Sequence, residues 1–529
     1  MITSWCLVAL LGAPPVGDVP AADVSPADAL TTSKPAGKES SDKTPSREVP
    51  SKDNLPRVDK LPRPSSLDVF EEDLLAVESG TLTSGEALTL NQVMGTVDDH
   101  HPMLRAAQGK IDEAEGKRFS AEGGFDLKLK AGQKLIPFGK DEYGHTEAMV
   151  EQPTTLWGTT FFGGYRRSSG EVPAYAGDLE TVGAGEAVVG AKIPLWQGGA
   201  IDRQRADLQQ TGLGIRIAEL SRQKMQLKLY GGAAEAYWKW VAAGHVLRIR
   251  QHLLEVAQLR MKQIEDRVAR GDLPEIDRID NQRSILKRES SRVKATRKLQ
   301  EAALKLSLYV RDGDGRPRQP LLKSLPPKIP MAPDLPATEV GGDVEAAQRR
   351  RPEPAQIELA RDQLQIEVDL ADNQTAPQID FTVAGIEPLE EDKKFKTELE
   401  AGVKFTMPLQ RRKARGKRAA AQAAKTQLEA ESTFLNERIA VEVADARSAL
   451  EAAAQQVEVA RQELKVSRLV EDAEHTRLDL GASTLLVVNL REQATADAAE
   501  RFVQALAEQH IAYARWRLAQ GVWVPEPRQ

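Results

Sequence analysis

Two long stretches without proline, each interrupted at a single glycine, constrain the fold of this chain more than any other feature. Residues 199–268 and 410–477 carry a helical pattern rich in Ala, Glu, Gln, Lys, Leu and Arg. A helix rises about 1.5 Å per residue, so roughly 70 residues span about 100 Å. The interior turns of such a helix gain little by themselves, so each helix must pack against neighbours along its whole length.

Both stretches end in a short break, after which the chain turns back as a second helix. The breaks read RVARGDLPEIDRID at 267–280 and RLDLGASTLLVVN at 477–489. Gly271 and Gly481 suit the left-handed cap of a long helix, and Pro274 suits the first turn of the next one. The sequence therefore predicts two helical hairpins, with return helices that run to about 310 and 519.

The segments around the hairpins indicate that one plan occurs twice. In residues 81–310 a helical pair and period-two strands, at about 125–195, precede the long helix. Residues 342–522 repeat this order with strands at about 377–409. A proline-rich linker, 311–341, separates the two repeats.

We predict two strands in each repeat and hence four in the chain. Four strands are too few to close a barrel, because about eight is the usual minimum for a filled interior. Open strand edges are not tolerated in lipid, so strands that enter a membrane must be pooled from several chains. The first repeat carries extra residues, 157–175, and the pattern leaves open whether they add strands or form an outside loop.

The two ends of the chain differ from the repeats in composition. Residues 1–17 are interpreted as a short secretory signal, although they lack the Lys/Arg start that is typical of such signals. Residues 18–80 are rich in Pro, Ser, Asp and Lys and are predicted to be disordered. Residues 523–529 form a short tail.

Composition and motifs exclude several classes of function. The net charge of −6 gives no basic field for nucleic acid, and the single cysteine, Cys6, excludes a Cys-based zinc site. DDHHP is interpreted as a polar helix end, and His245 and His252 have no carboxylate placed to complete a metal site. No phosphate loop, nucleophile elbow or dinucleotide turn occurs. We therefore predict no cofactor, no metal and no enzymatic activity.

The doubled arrangement resembles the TolC-type outer-membrane efflux channels over roughly residues 82–522. LTLNQVMGTVDDHHPMLRAAQGKIDEAEG resembles the family's opening helix pair, with its junction at His101–Pro102. GAKIPLWQGG and GVKFTMPLQRRKARG resemble its two strand-to-helix crossings, and the two breaks resemble its helical tips.

This resemblance implies a mainly α fold with a β-barrel part. It implies a homotrimer in which twelve strands close one barrel in the outer membrane of a Gram-negative-type cell, above a helical tunnel through the periplasm. The implied partners are a periplasmic adaptor (a membrane fusion protein), an inner-membrane pump and outer-membrane lipid. The implied function is a passive conduit, in tripartite efflux or type I secretion, for small molecules, metal ions or proteins.

Similarity to the family also implies that the two tips form the periplasmic entrance, dock the adaptor and close the aperture with polar residues. The candidates in the first tip are Arg267, Gly271, Leu273, Asp277 and Asp280. The candidates in the second tip are Arg477, Gly481, Ser483, Thr484 and Asn489.

The second tip departs from the family pattern in one respect. Well-studied members carry aspartates inside this tip, whereas residues 485–488 here are Leu-Leu-Val-Val. We therefore expect Asp277 or Asp280 to hold the aperture together with an arginine, through charge-assisted hydrogen bonds.

A soluble coiled-coil scaffold or periplasmic adaptor is the alternative from another class of protein. It explains the long helices but not the Gly-rich strand pairs or the proline-flanked crossings. Fractionation distinguishes the two classes: a heat-modifiable trimer that requires detergent favours the channel.

Overall fold

The computed structural model describes residues 87–138, 142–172, 181–333, 339–389 and 397–523. The segments interpreted above as a signal peptide (1–17) and a disordered region (18–80) lie outside these residues, as does the tail after Trp523.

Eight α-helices in the described residues form two sets, one on each side of the proline-rich linker. The first set comprises α1 (Leu90–His100), α2 (Pro102–Glu122), α3 (Arg203–Ala269) and α4 (Glu275–Leu306). The second set comprises α5 (Val340–Arg350), α6 (Pro352–Asn373), α7 (Arg412–Asp479) and α8 (Leu485–Ala519). Among these described helices, none combines the length and the apolar character that crossing a membrane requires.

The two longest helices, α3 and α7, contain 67 and 68 residues and run from the sheet to the hairpin tips. At the start of α3 the Asp202 Oδ1 accepts a hydrogen bond from Arg205 N at 2.8 Å, which satisfies one of the free amide groups there. α3 packs against α4 and α8, and α7 packs against α6 and α8. These contacts give the long helices the lateral support that their length demands.

The main hydrophobic core lies between α3 and α8. Trp240 and Ile249 of α3 and Phe502 and Leu506 of α8 are all buried. Burial of a large apolar side chain stabilises a fold by roughly 1.5–3 kcal/mol, so this cluster is a major source of cohesion. Small buried side chains on α8 let the helices approach closely: Ala496, Ala498, Ala499, Ala505 and Ala507.

The proline-rich linker packs onto the helices. Leu325 and Ile329 are buried in the main core. Leu325 fills the space beside Gly244 of α3, where an added Cβ would lie 2.5 Å from the leucine side chain. The Nε2 of His510, in α8, lies 2.7 Å from the Pro330 carbonyl oxygen. The linker therefore contacts both helices that build the core.

The described residues contain six strands in one sheet, and the prediction of four strands per chain is wrong. The strands are β1 (Lys128–Ile136), β2 (Tyr143–Pro153), β3 (Thr160–Gly170), β4 (Glu186–Pro194), β5 (Gln378–Pro388) and β6 (Glu398–Thr406). They lie in chain order, and every neighbouring pair is antiparallel. The residues before the proline-rich linker contribute four strands and those after it two, and the β4–β5 pair joins these two parts of the chain.

The additional hairpin is formed by β2 and β3. Most of the extra segment 157–175 that the sequence left open is β3, while 173–180 lies outside the described residues. The strand signal of β2 was hidden because Ala148, Met149 and Val150 are apolar in succession, which interrupts the alternation with period two. Alternation of apolar and polar residues therefore does not indicate this hairpin in the sequence.

The two faces of the sheet differ in polarity. One face carries exposed apolar side chains, which are Leu129, Leu135, Val189, Leu399, Val403 and Phe405. The opposite face carries ion pairs between neighbouring strands, which are Lys130–Glu151 at 2.6 Å, Arg166–Glu186 at 2.9 Å and Lys192–Asp380 at 3.0 Å. Buried residues of the central strands, including Val188 and Ile386, also lie on the polar face. The sheet therefore curves towards its polar face.

Candidate functional site

The first helical tip is a glycine-capped reversal between α3 and α4. Gly271 follows α3 with a φ of +82°, in the left-handed region that glycine tolerates best. Its N–H donates to the Val268 carbonyl at 3.0 Å, and the Asp272 N–H donates to the Arg267 carbonyl at 2.8 Å. These two bonds are the Schellman pattern, which satisfies the last carbonyls of a helix.

The second tip, between α7 and α8, has the same geometry. Gly481 has a φ of +71°, and its N–H donates to the Leu478 carbonyl at 2.9 Å. The Ala482 N–H donates to the Arg477 carbonyl at 2.8 Å. The two predicted tips therefore share one backbone motif at positions 210 residues apart.

Replacing Gly271 or Gly481 by alanine is expected to destabilise the tip by about 1–2 kcal/mol, because an L-residue is strained at these φ values. No atom lies within 4 Å of an added Cβ at either position, so the cost is conformational and not steric. Hydrogen exchange of the amides in each hairpin measures the change.

Gly416 is the matched control, because it lies inside α7 and an added Cβ also meets no atom within 4 Å. Alanine at Gly416 is expected to stabilise α7 by about 0.5–1 kcal/mol, the opposite sign. Equal effects at the tips and at Gly416 would contradict the assignment of the tips as left-handed caps.

The side chains of the first tip leave several charges without a partner in the described part of the chain. Asp277 and Asp280, in the first two turns of α4, are partly exposed and make no ion pair there, and neither does Arg267 at the end of α3. Arg270 Nε lies 3.2 Å from Asp272 Oδ2 in the turn. Leu273 is half-buried in the same turn.

The second tip has one buried anchor. Ser483 Oγ donates to Oε1 of Glu474, whose side chain is buried at the end of α7. Arg477 Nη1 lies 3.3 Å from Glu474 Oε2, and its Nη2 donates to the Ala482 carbonyl. Thr484 is the residue before α8, and its side chain makes no capping hydrogen bond.

Exposed apolar side chains also surround both tips. They are Ile276 and Ile279 at the start of α4, Leu480 after α7, and Leu486 and Leu490 at the start of α8. Their side chains are between 51% and 77% exposed, which is unusual for so many aliphatic residues at one end of a helical bundle. Together with the charges above, they give the tips a mixed apolar and polar surface.

Asn489, predicted as a tip residue, is turned away from that surface. Its Oδ1 accepts hydrogen bonds from Arg260 Nη1 at 2.7 Å and from Arg288 Nη2 at 3.2 Å. Asn489 therefore belongs to a buried group of charges about two turns from the tip, which the sequence did not indicate.

Glu492 is the centre of this buried group. Arg260 Nη2 donates to Glu492 Oε1, Arg288 Nη2 donates to Glu492 Oε2 at 2.9 Å, and His475 Nε2 lies 3.5 Å from Oε1. The side chains of Glu492 and both arginines are 2% exposed. Because the four residues come from α3, α4, α7 and α8, the group joins both hairpins.

The electrostatic balance of the group follows from these contacts. Burial alone would raise the pKa of Glu492, but the contacts with His475, Arg260 and Arg288 outweigh it and hold this pKa below its ordinary value. Burial raises the pKa of Glu471, although Thr495 and His475 partly oppose the shift. The group therefore holds one firmly ionised carboxylate between two cations.

Glu471, His475 and Glu492 also bring three potential metal ligand atoms within 4.8 Å of one another. However, two guanidinium groups already occupy the carboxylate of Glu492, so a cation would have to enter against two buried positive charges. The arrangement is therefore suited to an ion-pair lock between helices.

Solved structures of outer-membrane channels share this architecture. The chain is similar to the open state of the Neisseria gonorrhoeae MtrE outer membrane channel, with a TM-score of 0.56 and 15% identity over 82% of this chain and 88% of that one. The Campylobacter jejuni CmeC outer membrane channel gives 0.56 and 12%, covering 84% and 90%. CusC, whose structures describe transmembrane channel formation, gives 0.58 and 14%, covering 84% and 95%.

No protein-family model matches the sequence, and no curated protein matches it. At these low identities the structural likeness establishes the fold. The resemblance inferred from the sequence is confirmed at that level: the chain has the TolC-type outer-membrane channel fold, mainly α with one sheet.

Proposed function

We propose that this chain is one protomer of a passive outer-membrane export channel. The observation that carries the proposal is the two-faced sheet joined to long helical hairpins. Leu129, Val189 and Leu399 stand exposed on one face, whereas paired charges occupy the other. Such an arrangement suits a wall with lipid outside and water inside.

The open edges of the sheet favour a closed homotrimer in the outer membrane of a Gram-negative-type cell. Within the described strands, β1 and β6 each pair on one side only. Unpaired edges are not tolerated in lipid, so copies of the chain must pair them. Below the sheet, α3, α4, α7 and α8 of each copy would form the wall of a periplasmic tunnel.

The tips suit docking of a periplasmic adaptor, the partner that links such a channel to an inner-membrane pump. Exposed Ile276, Ile279, Leu486 and Leu490 offer an apolar contact surface. The channel needs no chemistry of its own, because the pump supplies the energy. Its cargo falls in the classes implied by the fold: small molecules, metal ions or proteins, in tripartite efflux or in type I secretion.

The aspartates of the first tip, Asp277 and Asp280, are suited to closing the periplasmic aperture. Asp277 and Asp280 have no cationic partner among the described residues of their own chain, and the same holds for Arg267. In a trimer, these groups can pair between neighbouring copies with charge-assisted hydrogen bonds. Asp277 or Asp280 then holds the closed aperture with an arginine of the next protomer.

Single-channel conductance in planar lipid tests the proposal. Purified trimers are expected to conduct weakly, and Asp277→Ala or Asp280→Ala is expected to raise the conductance several-fold by freeing the aperture. Asp445→Ala, at an exposed position in the middle of α7, is the matched control and should leave conductance unchanged.

Two results would contradict different parts of this proposal. Trimers that conduct but respond to neither aspartate variant would exclude these residues from the aperture. A water-soluble monomer without pore-forming activity would exclude the channel and favour the coiled-coil scaffold.

A further inference from the structure

The sheet of this chain has six strands, and its two edges are matched in direction. β1 leads away from the helices after α2, and β6 leads back towards them before α7. When β6 of one copy lies beside β1 of the next, the pair is therefore antiparallel, like every pair already in the sheet. Both edges are nine residues long, so neither overhangs the other.

The two edges also match in the faces that they continue and, in their outer halves, in charge. On the polar face, β1 carries Lys128, Lys130 and Lys134, and β6 carries Glu398 and Glu400 in its outer half and Lys404 in its inner half. On the opposite face both edges are apolar, so joining them continues the same two surfaces. In an antiparallel pair the outer half of β6 lies beside the outer half of β1, so Glu398 and Glu400 face Lys134. This contact and the two continuous faces suit the next copy of this chain as the partner of the edge.

The hairpin of β2 and β3 is built into the sheet. Its turn packs beside the crossing from β4 into α3, where Trp157 Nε1 donates to the Pro194 carbonyl at 3.0 Å. A Cβ added at Gly199 would lie 2.7 Å from the Trp157 ring, so indole and backbone are in close contact. Thr154 N donates to the Thr159 carbonyl at 3.0 Å and closes the turn.

We propose that three copies of this chain close a barrel of eighteen strands, with the β2–β3 hairpin as part of the wall. Six strands from each of three copies give this number, in place of the twelve implied by the family resemblance. The inference rests on the trimeric channel proposed above. Barrel diameter grows roughly linearly with strand number, so the barrel is about 1.5 times as wide as one with twelve strands.

A wide barrel defines the class of cargo more closely. Barrels of 16–18 strands leave a water-filled channel, and here the lumen is lined by the charged face of the sheet. The barrel therefore passes bulky hydrophilic solutes that a barrel of twelve strands excludes.

Exclusion of polyethylene glycols, added on the extracellular side of a planar bilayer, measures the barrel separately from the periplasmic aperture. The matched variant deletes 143–170 and joins Glu142 to Glu171, whose backbones are already linked by a hydrogen bond of 3.0 Å. This variant keeps four strands per chain. The polymer radius that enters the wild-type barrel is expected to be about 1.5 times the radius that enters the variant.

Cross-linking in the full-length chain tests the pairing of β1 with β6 that closes the barrel, and the strand number itself is tested separately below. In a Cys6→Ser background, Gly132→Cys with Gly402→Cys places thiols at the centres of β1 and β6 on the polar face. A bismaleimide of about 10 Å should link the copies into a trimer ladder, because diagonal neighbours across strands are about 7–8 Å apart. Gly402→Cys alone should give no ladder.

Counting strands by electron cryomicroscopy of the detergent-solubilised trimer distinguishes this inference from the proposed function. Eighteen strands support it. A trimeric pore with twelve strands and β2–β3 outside the wall overturns the inference and leaves the channel intact. A monomer without a pore overturns both.

Discussion

Replacing Glu492 by glutamine is expected to lower the free energy of unfolding by about 3–5 kcal/mol. The change removes the negative charge between Arg260 and Arg288 but leaves both guanidinium groups buried at 2% exposure. Unpaired buried charges are far more costly than the loss of a surface ion pair. Guanidinium unfolding of the detergent-solubilised protein, followed by circular dichroism, measures the loss.

The control for this prediction is an exposed acid–arginine pair between α7 and α8. Glu463 Oε1 of α7 lies 2.6 Å from Arg501 Nη2 of α8, and both side chains are about half exposed. Glu463→Gln is expected to cost about 0–1 kcal/mol, since solvent screens the pair. Equal effects for Glu463→Gln and Glu492→Gln would show that burial does not determine the loss in free energy of unfolding.

A second variant tests the cause of the loss. Adding Arg288→Met to Glu492→Gln removes one of the two uncompensated cations and replaces it with an apolar chain of similar length. The double variant is expected to be more stable than Glu492→Gln alone, because part of the electrostatic penalty disappears. A double variant that is less stable would mean that Arg288 acts mainly through packing.

The helical part of the fold could be predicted because its signals are local. The absence of proline over 199–268 and 410–477 predicted the long helices, and glycines at 271 and 481 predicted their ends. Each signal lies within a few residues of the structure that it specifies. The two Schellman caps at the tips are the structural result of those glycines.

The number of strands could not be predicted from the sequence in the same way. The side chains of β2 suit contacts with neighbouring strands, and these contacts do not follow a local pattern. Glu151 pairs with Lys130 of β1, and Tyr143 is buried on the polar face of the sheet. Such residues interrupt the simple alternation that marks a strand in isolation. The β2–β3 hairpin can therefore be recognised only from its cross-strand contacts in the structure.

The buried charges escaped prediction for a related reason. Arg260 and Arg288 are separated from Glu492 by 232 and 204 positions, and each alone resembles one of the many solvated charges of a long helix. Their burial results from the packing of four helices around one point. Long-range pairs of this kind carry no signal in a single sequence.

Lowering the pH from 7 to 5 is expected to destabilise the contact between the linker and the helices, because two buried histidines resist protonation. Burial lowers the pKa of His245 to about 4, with help from the charge of Arg248. Burial also lowers the pKa of His510 to about 4. His510 stacks on Trp238 with ring centres 3.7 Å apart, and its Nε2 lies near the Pro330 carbonyl.

The direction of this change in stability follows from the number of protons that the folded and unfolded chains bind. The unfolded chain takes up protons on these histidines below about pH 6.5, whereas the folded chain does so only near pH 4, so stability falls through that window. One pKa unit corresponds to about 1.4 kcal/mol, so each histidine costs on the order of 2 kcal/mol at pH 5. The depressed pKa of Glu492 adds its own loss only below about pH 4.5. The raised pKa of Glu471 opposes these losses on acidification.

His510→Gln separates the histidine effect from general acid destabilisation. Glutamine keeps an amide that can donate to the Pro330 carbonyl but cannot titrate, so the loss of stability between pH 7 and pH 5 should shrink by on the order of 2 kcal/mol. Unfolding by urea at several pH values, with limited proteolysis of 311–333, measures both the global and the local change. An identical pH dependence in His510→Gln and the unmodified chain would exclude His510 as a cause, and the linker would then be held by its apolar contacts alone.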